Sequence, residues 1–162
     1  LAGRTGCGLC GTESLDRFHA EAVVVRSSVE LSADVLACAQ SRLADLQQLF
    51  RLTGAVHAAA WCNPAGDIQL LREDVGRHNA LDKVIGAMAS ERHSTADGFL
   101  LLTSRASYEM VHKAAAVGIA IIAAVSAPTG LAVRSAEQAG VTLIGFTRGN
   151  RHNIYSHPER VH

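Results

Sequence analysis

The chain has 162 residues, a length that fits one domain with a full hydrophobic core. Lys and Arg (15) balance Asp and Glu (15), so the formal net charge is +0 and no global basic field points to a nucleic-acid partner. Hydrophobic residues make up 48% of the chain and aromatic residues only 4%. The core is therefore expected to consist of Ala, Val, Leu and Ile, which suits helices packed closely on a sheet.

Neither a membrane span nor a secretory signal is expected. No apolar run reaches the roughly 18 residues that a span needs, and the glycine-rich start has no apolar signal region. The chain begins with Leu rather than Met, so we expect an N-terminal portion to be missing. Without a secretory signal a disulfide framework is not expected. Cys38 and Cys62, in a helical pattern and an apolar run, are predicted to be buried apolar residues.

The first part of the chain predicts a loop, a short strand, a long helix and a hairpin. Residues 1–17 are expected to form a flexible loop, and residues 18–162 a single domain. Ser32 can cap a helix that Gly54 ends. The remaining predicted elements are a β-prone run at 21–27, two strands at 56–62 and 67–73 joined by Asn63-Pro64-Ala65-Gly66, and a helix at 78–89.

From residue 99 onward, predicted strands and helices alternate. The strands are expected at 99–103, 119–125 and 141–146, and the helices at 107–117 and 129–139. Such alternation predicts parallel βαβ units with right-handed crossovers. Together with the hairpin it gives a three-layer α/β/α sandwich, with a mixed, mostly parallel sheet and one antiparallel pair. Ligands bind beyond the carboxyl ends of the strands in such sheets.

The loop Arg4-Thr5-Gly6-Cys7-Gly8-Leu9-Cys10-Gly11 carries the strongest chemical signal. Two cysteines three residues apart can share a metal, form a disulfide, or lower one thiol's pKa through the other. The glycines keep the backbone permissive, and Arg4 favours a thiolate that could accept a sulfane sulfur. A dinucleotide fingerprint (Gly6, Gly8, Gly11) lacks a preceding strand, and a zinc knuckle lacks a second close ligand pair.

Polar segments at the predicted strand ends form a candidate anion pocket. Arg77 and His78 begin a helix whose free N–H groups suit an anion, and Thr103, Ser104 and Arg105 suit a phosphate. In each case ordinary capping of a helix is the alternative interpretation. After the last predicted strand, a segment could clamp a nucleotide, with Phe against the base and Arg on phosphate. It comprises Phe146, Thr147, Arg148, Gly149, Asn150 and Arg151, and a solvated turn is its alternative.

In combination these motifs resemble the formate dehydrogenase accessory sulfurtransferase (sulfur carrier protein FdhD) family. The resemblance rests on the cysteine loop, residues 72–83, the turns at 103–105 and 126–129, and the closing Tyr155-Ser156-His157-Pro158-Glu159-Arg160. It runs from Arg4 to about Val161. The family has a further N-terminal portion that this chain hardly shows.

The resemblance implies a cytidine-deaminase-like fold and a cytoplasmic sulfur carrier. Such a carrier acts as a sulfurtransferase between a cysteine desulfurase and the molybdenum cofactor of formate dehydrogenase, Mo-bis(molybdopterin guanine dinucleotide). By position, Cys7 matches the persulfide-bearing cysteine and Cys10 its partner, and residues 146–151 match the segment at the guanine dinucleotide. The family is commonly dimeric, and no metal of the chain's own is expected. Two alternatives stay open: a cofactor-binding chaperone that transfers no sulfur, and a zinc hydrolase of the deaminase type.

Overall fold

The structure is a computed structural model that describes residues 23–162 and contains a six-stranded sheet flanked by helices. The helices are α1 (Ala33–Leu46), α2 (Gln48–Thr53), α3 (Arg77–Glu91), α4 (Tyr108–Ala116) and α5 (Gly130–Ala139), and a 3-10 turn covers Pro158–Arg160. The strands are β1 (His57–Cys62), β2 (Ile68–Asp74), β3 (Phe99–Leu102), β4 (Ile121–Ala124), β5 (Thr142–Arg148) and β6 (Arg151–Ser156).

The sheet has the strand order β2-β1-β3-β4-β5-β6. Strands β3, β4 and β5 pair in parallel, as the alternation of strands and helices predicts. The prediction of one antiparallel pair is too low, because β1 pairs antiparallel with both β2 and β3, and β6 pairs antiparallel with β5. The hairpin thus lies beside β3, so β1 begins at the edge where the parallel strands end.

The α/β/α prediction is confirmed by the way the helices pack on this sheet. Helix α3 contacts β1 and β2, and it also contacts α4, which contacts α5; α1 instead packs against β2 and β5. The central strands are buried along their length, including Ala58–Cys62, Phe99–Leu102 and Ile121–Ala124. Such continuous apolar runs are typical of strands that are covered on both faces.

Local sequence signals set most helix ends. The Ser32 hydroxyl accepts a hydrogen bond from Asp34 N, and Gly54 ends α2 with a left-handed φ of 63°. The long helix predicted between them is two helices, because Gln47 has non-helical backbone angles and is buried. Gly140 closes α5 in the same left-handed conformation, with a φ of 68°.

Two further expectations about local structure are wrong. Within the predicted strand at 21–27, residues 23–27 form no strand; Val25 N donates to Ala139 O, but Val23 and Val24 are exposed. Cys38 is exposed rather than buried, because Leu36, Ala39 and Leu43 occupy the inward face of α1. An α-helix has about 3.6 residues per turn, so two positions along it amount to slightly more than half a turn. Because Leu36 faces inward, Cys38 lies on the outer side of the helix.

Strand β6 was not predicted. It follows β5 after the two residues Gly149-Asn150, which act as a tight hairpin turn. The signal was present, since a short Gly-Asn turn flanked by β-prone residues is typical of a hairpin. Within residues 23–162, no helix is long and apolar enough to cross a membrane.

Candidate functional site

The ends of the three parallel strands are joined by backbone hydrogen bonds into one polar edge. Val125 N donates to Leu102 O, and Thr129 N donates to Ala106 O. Phe146 N donates to Ser126 O at 3.3 Å, which brings the last turn to the middle one. The sequence-predicted segments at 103–105 and 146–151 therefore share the carboxyl edge of β3 and β5, as expected.

Two hydroxyls at this edge already have partners within the protein. Thr103 Oγ1 accepts from Ala58 N at 2.8 Å, and Ser104 Oγ donates to Arg105 O at 3.1 Å. Arg105 is exposed, and none of the ion pairs between residues 23 and 162 uses it. Of the three residues predicted to bind phosphate, Arg105 is thus the one whose side chain forms no hydrogen bond or ion pair with another residue of the range 23–162.

A β-bulge shapes the end of β5. The register shifts between Gly145 and Arg148, so four residues of β5 face three residues of β6. Phe146 has a left-handed φ of 54° and is 45% exposed. Bulges re-aim side chains, and this one presents an aromatic ring to solvent beside two exposed arginines, Arg148 and Arg151.

Gln40 of α1 is a site residue that the sequence analysis missed. Its side-chain Nε2 donates to Thr147 O at the bulge. Thr147 is 1% exposed, and neither its Oγ1 nor Gln40 Oε1 has a hydrogen-bond partner within residues 23–162. No sequence pattern distinguishes Gln40 from other polar residues of a helix, since only the fold brings it to a strand 107 residues away.

The residue that precedes α3, Gly76, has no side chain to cap the helix, and the carboxylate of Asp74 stabilises the start of α3 instead. Asp74 accepts hydrogen bonds from Gly76 N and Asn79 Nδ2, and it lies 2.6 Å from Lys83 Nζ. The hydrogen bond from Lys83, then those from Gly76 and Asn79, lower the pKa of Asp74 to about 2. The sequence analysis left ordinary helix capping open as an alternative to an anion site here. Asp74 and Asn79 do serve this local structural role.

Arg77 and His78 extend from α3 towards Glu109 of α4. His78 Nε2 lies 4.0 Å from Glu109 Oε2. Burial, and then the charge of Arg77, lower the pKa of His78. Burial acts to raise the pKa of Glu109, but a hydrogen bond from its own backbone N–H and the charge of Arg77 help to make the net shift downward. The lowered pKa of His78 favours an uncharged imidazole beside the Glu109 carboxylate at neutral pH, and an incoming anion would meet Glu109 as well as Arg77.

Comparison with known proteins gives this polar edge a context. The FdhD/NarQ family matches the whole chain, residues 1–162. The chain belongs to the FdhD/NarQ family.

Similar proteins support this membership in both sequence and structure. The chain is 56% identical over 161 residues to the sulfur carrier protein FdhD of Cupriavidus necator. This alignment covers 99% of this chain and 56% of that protein. It is 53% identical to the sulfur carrier protein FdhD of Xanthomonas euvesicatoria, over 99% of this chain and 57% of that one. A structure provisionally described as a formate dehydrogenase accessory protein from Desulfotalea psychrophila superposes with a TM-score of 0.81 at 31% identity, covering 86% of this chain and 60% of that one.

Membership in the FdhD/NarQ family confirms the resemblance seen in the sequence. The chain spans about 56% of the length of the first of these relatives. Cys7 and Cys10, the predicted sulfur-bearing residues, and the predicted domain boundary at residue 18 lie outside the described residues. In residues 23–162 no group of three or more His, Cys, Asp or Glu could hold a metal ion. The cytidine-deaminase-like label stays a prediction.

Proposed function

We propose that this chain carries sulfur for the maturation of formate dehydrogenase, as a persulfide on Cys7. One observation carries the proposal: 56% identity over 161 residues to a sulfur carrier protein FdhD. The family match also includes residues 7 and 10, where the Cys-x-x-Cys loop stands. A thiolate favoured by Arg4 and by the neighbouring cysteine is the nucleophile that sulfur transfer needs.

Loading is a transfer of a sulfane sulfur between two thiols. The Cys7 thiolate attacks the outer sulfur of a persulfide on a cysteine desulfurase. A bond forms between Cys7 Sγ and that sulfur, the donor's S–S bond breaks, and the electron pair leaves with the donor's thiolate. The product is Cys7-S-SH. This step makes the chain a sulfurtransferase acting on a protein-bound substrate.

Release uses the second cysteine. The Cys10 thiolate attacks Cys7 Sγ, the bond from Cys7 Sγ to the outer sulfur breaks, and that sulfur leaves as HS⁻ while Cys7 and Cys10 become a disulfide. The two thiols are oxidised as the sulfane sulfur is reduced to sulfide. We propose that the recipient is Mo-bis(molybdopterin guanine dinucleotide), bound as cargo for formate dehydrogenase.

The polar carboxyl edge is suited to the anionic part of that cargo. Arg148 and Arg151, exposed on the β5–β6 hairpin, can each form two hydrogen bonds to a phosphate, and the exposed Phe146 ring can stack on a guanine. Arg77 and His78 contribute from α3 and Arg105 from the end of β3. Thr103, Ser104 and Thr147 shape the edge, while Gly149 and Asn150 form the hairpin turn. The proposed assembly also includes a second copy of the chain.

Mass spectrometry tests the sulfur step directly. The chain is incubated with a cysteine desulfurase and cysteine, and we expect a gain of one sulfur that Cys7→Ala abolishes. Cys38→Ala is the matched control, because Cys38 is exposed and lies on α1, and it should leave the gain unchanged. An adduct that survives Cys7→Ala would place the chemistry elsewhere. Absence of any adduct, together with normal guanine nucleotide binding in Cys7→Ala/Cys10→Ala, would favour a cofactor-binding chaperone.

A further inference from the structure

Strand β2 is an edge of the sheet, so one side of its backbone has no neighbouring strand within residues 23–162. The direction of its backbone groups follows from those of β1. Ala58 O accepts from Thr103 N at 3.1 Å, so the backbone groups of Ala58 face β3. Because these groups alternate in direction along an antiparallel strand, those of Ala59 face β2.

Two residues of β2 present their backbone groups to the open side. Ala59 lies opposite Arg72, so the groups of Arg72 face β1, and those of Leu71 and Glu73 point outward. Leu71 O accepts from Arg72 Nη1 at 2.8 Å, and Glu73 O accepts from Lys83 Nζ at 3.1 Å. Lysine and arginine side chains commonly protect an edge strand. A backbone N–H of an added strand can take the place of either side chain.

A groove of about 720 Å³ lies at this open side, and we call it the β2 groove. Its lining includes Leu46 and Leu49 from α1 and α2, Leu71 and Arg72 from β2, and Ala87 from α3. Leu46 and Leu49 are each 48% exposed. Large apolar side chains beside an unpaired strand edge are a template for pairing with another chain, which would remove them from water.

The two faces of β2 differ in chemistry along the groove. Side chains alternate along a strand, so Leu71 and Glu73 share one face and Arg72 lies on the other. The Glu73 carboxylate accepts from Leu49 N at 2.8 Å, so the first face is that of α2. Arg72 Nη2 lies 3.7 Å from Glu91 Oε1, so the second face is that of α3. The groove is therefore apolar on the α2 side and cationic on the α3 side.

Arg72 is the most available charge of the β2 groove. Its ion pair with Glu91 is long and both side chains are exposed, and such pairs contribute little to stability. Lys83 Nζ is held by Asp74 at 2.6 Å, and the Glu73 carboxylate is occupied by the first N–H groups of α2. The groove therefore complements a carboxylate.

We propose that the β2 groove is a docking surface for an extended segment of a partner protein, which adds to the sheet as a strand and carries apolar and acidic side chains in alternation. Its apolar side chains cover Leu46 and Leu49, a carboxylate binds Arg72, and its backbone pairs with the outward groups of β2. A second copy of β2 would instead bring another Arg72 to the seam, and like charges across paired strands are destabilising. This docking is independent of sulfur transfer.

Reversal of the charge at Arg72 tests the partner's chemistry. The probe is a fluorescein-labelled hexapeptide that alternates valine and glutamate, and fluorescence anisotropy with the whole chain measures its binding. We expect Arg72→Glu to weaken this binding at least about ten-fold, because repulsion replaces a charged hydrogen bond. The same variant should gain binding of a hexapeptide that alternates valine and lysine. Arg134→Glu, an equal change of charge at an exposed position of α5 outside the groove, should bind the glutamate peptide as the unmodified chain does.

Two N-methylated versions of the glutamate peptide test whether it pairs as a strand. Alternate amides of a strand point to opposite sides, so methylation of one alternate set should abolish binding and methylation of the other should preserve it. Equal binding of the two versions would overturn strand pairing. The proposal also fails if the unmodified chain does not bind the glutamate peptide, or if Arg72→Glu and Arg134→Glu lose it equally. A dimer that Leu49→Glu converts to monomers, without peptide binding, would assign the groove to a second copy of the chain instead.

Discussion

The thiols of Cys38 and Cys62 are in opposite environments, although the sequence predicted both to be buried. Cys62 lies on β1 and is 0% exposed, and burial, followed by the charge of Asp67, raises the pKa of its thiol to about 12. The apolar run around Cys62 indicated this correctly. Cys38 occupies the outer face of α1. One residue of error in the phase of a helix is enough to exchange an inward for an outward position.

This difference predicts selective alkylation. At pH 8 in the folded chain, iodoacetamide should modify Cys38 and leave Cys62 unmodified, because a buried thiol with a raised pKa forms almost no thiolate. Peptide mass spectrometry with and without urea measures both sites, and urea should make them equally reactive. Equal reactivity of Cys38 and Cys62 without urea would contradict the buried position of β1. If Cys62 is protected as expected, a sulfur adduct that forms rapidly on the folded chain must be on an accessible cysteine.

At the scale of elements, the sequence predicted the strands β1 to β5 and missed the edge strand β6. Strands β3 and β4 and the first part of β5 are buried, mostly apolar runs separated by helices, a pattern that local residues determine. The break at Gln47 depends on what surrounds that residue after folding. The start of β1 at the carboxyl edge likewise depends on which strand the hairpin joins. Contacts between distant residues decide both features, so composition and spacing do not contain them.

The same limit applied to the candidate site. Arg105, Arg148 and Phe146 were predicted at the edge because polar residues follow apolar strands. The acceptor Gln40 and the carboxylate Glu109 were missed, since each comes to the site from another element. Thr103 and Ser104 were predicted as ligands, but their hydroxyls already bind the backbone. A polar residue at a strand end indicates an edge and does not tell whether its atoms remain free.

Substitution of Gly145 tests how tightly the turns at this edge are packed. A Cβ at this position would lie 2.8 Å from Pro128 Cδ and 3.1 Å from Tyr155 Cε2. Overpacking of this kind typically costs about 1–3 kcal/mol, so Gly145→Ala should lower the free energy of unfolding by that amount. Urea denaturation followed by circular dichroism measures it.

Gly86 provides the matched control for that substitution. It lies in α3, is exposed, and a Cβ there would meet nothing within 4 Å. Alanine loses less conformational freedom than glycine in a helix, so Gly86→Ala should raise stability by about 0.5–1 kcal/mol. If Gly145→Ala were as harmless as Gly86→Ala, the close approach of the turns would be refuted.

At the scale of the whole molecule, all side chains with a shifted pKa that titrate below neutral pH change the folding stability in the same direction. The pKa values of Asp67, Asp74, Glu109 and Glu159 are lowered in the folded chain, and so is that of His78. Each group binds a proton more readily when the chain is unfolded. Stability therefore rises with pH wherever these groups titrate, and it is lost on acidification.

The acid response of the folded chain follows from this sign. His78 begins to disfavour the folded state as pH falls below its ordinary value of 6.5, and Asp74 contributes stability above 3.8 that is lost as pH falls towards about 2. The urea midpoint should therefore be highest between pH 6.5 and 9.0, the ordinary pKa of a thiol such as Cys62, and decline steadily from pH 6.5 to pH 2. Asp74→Asn should have a lower midpoint at pH 7, because Lys83 loses its anionic partner, and the gap to the unsubstituted chain should close between pH 4 and 2. Asp45→Asn, at an exposed position of α1 without an ion pair in the described part of the chain, should match the unsubstituted chain throughout. If the difference in urea midpoint between Asp74→Asn and the unsubstituted chain stayed constant down to pH 2, the loss of stability would come from packing. The carboxylate at the start of α3 would then not hold the polar edge in place through its charge.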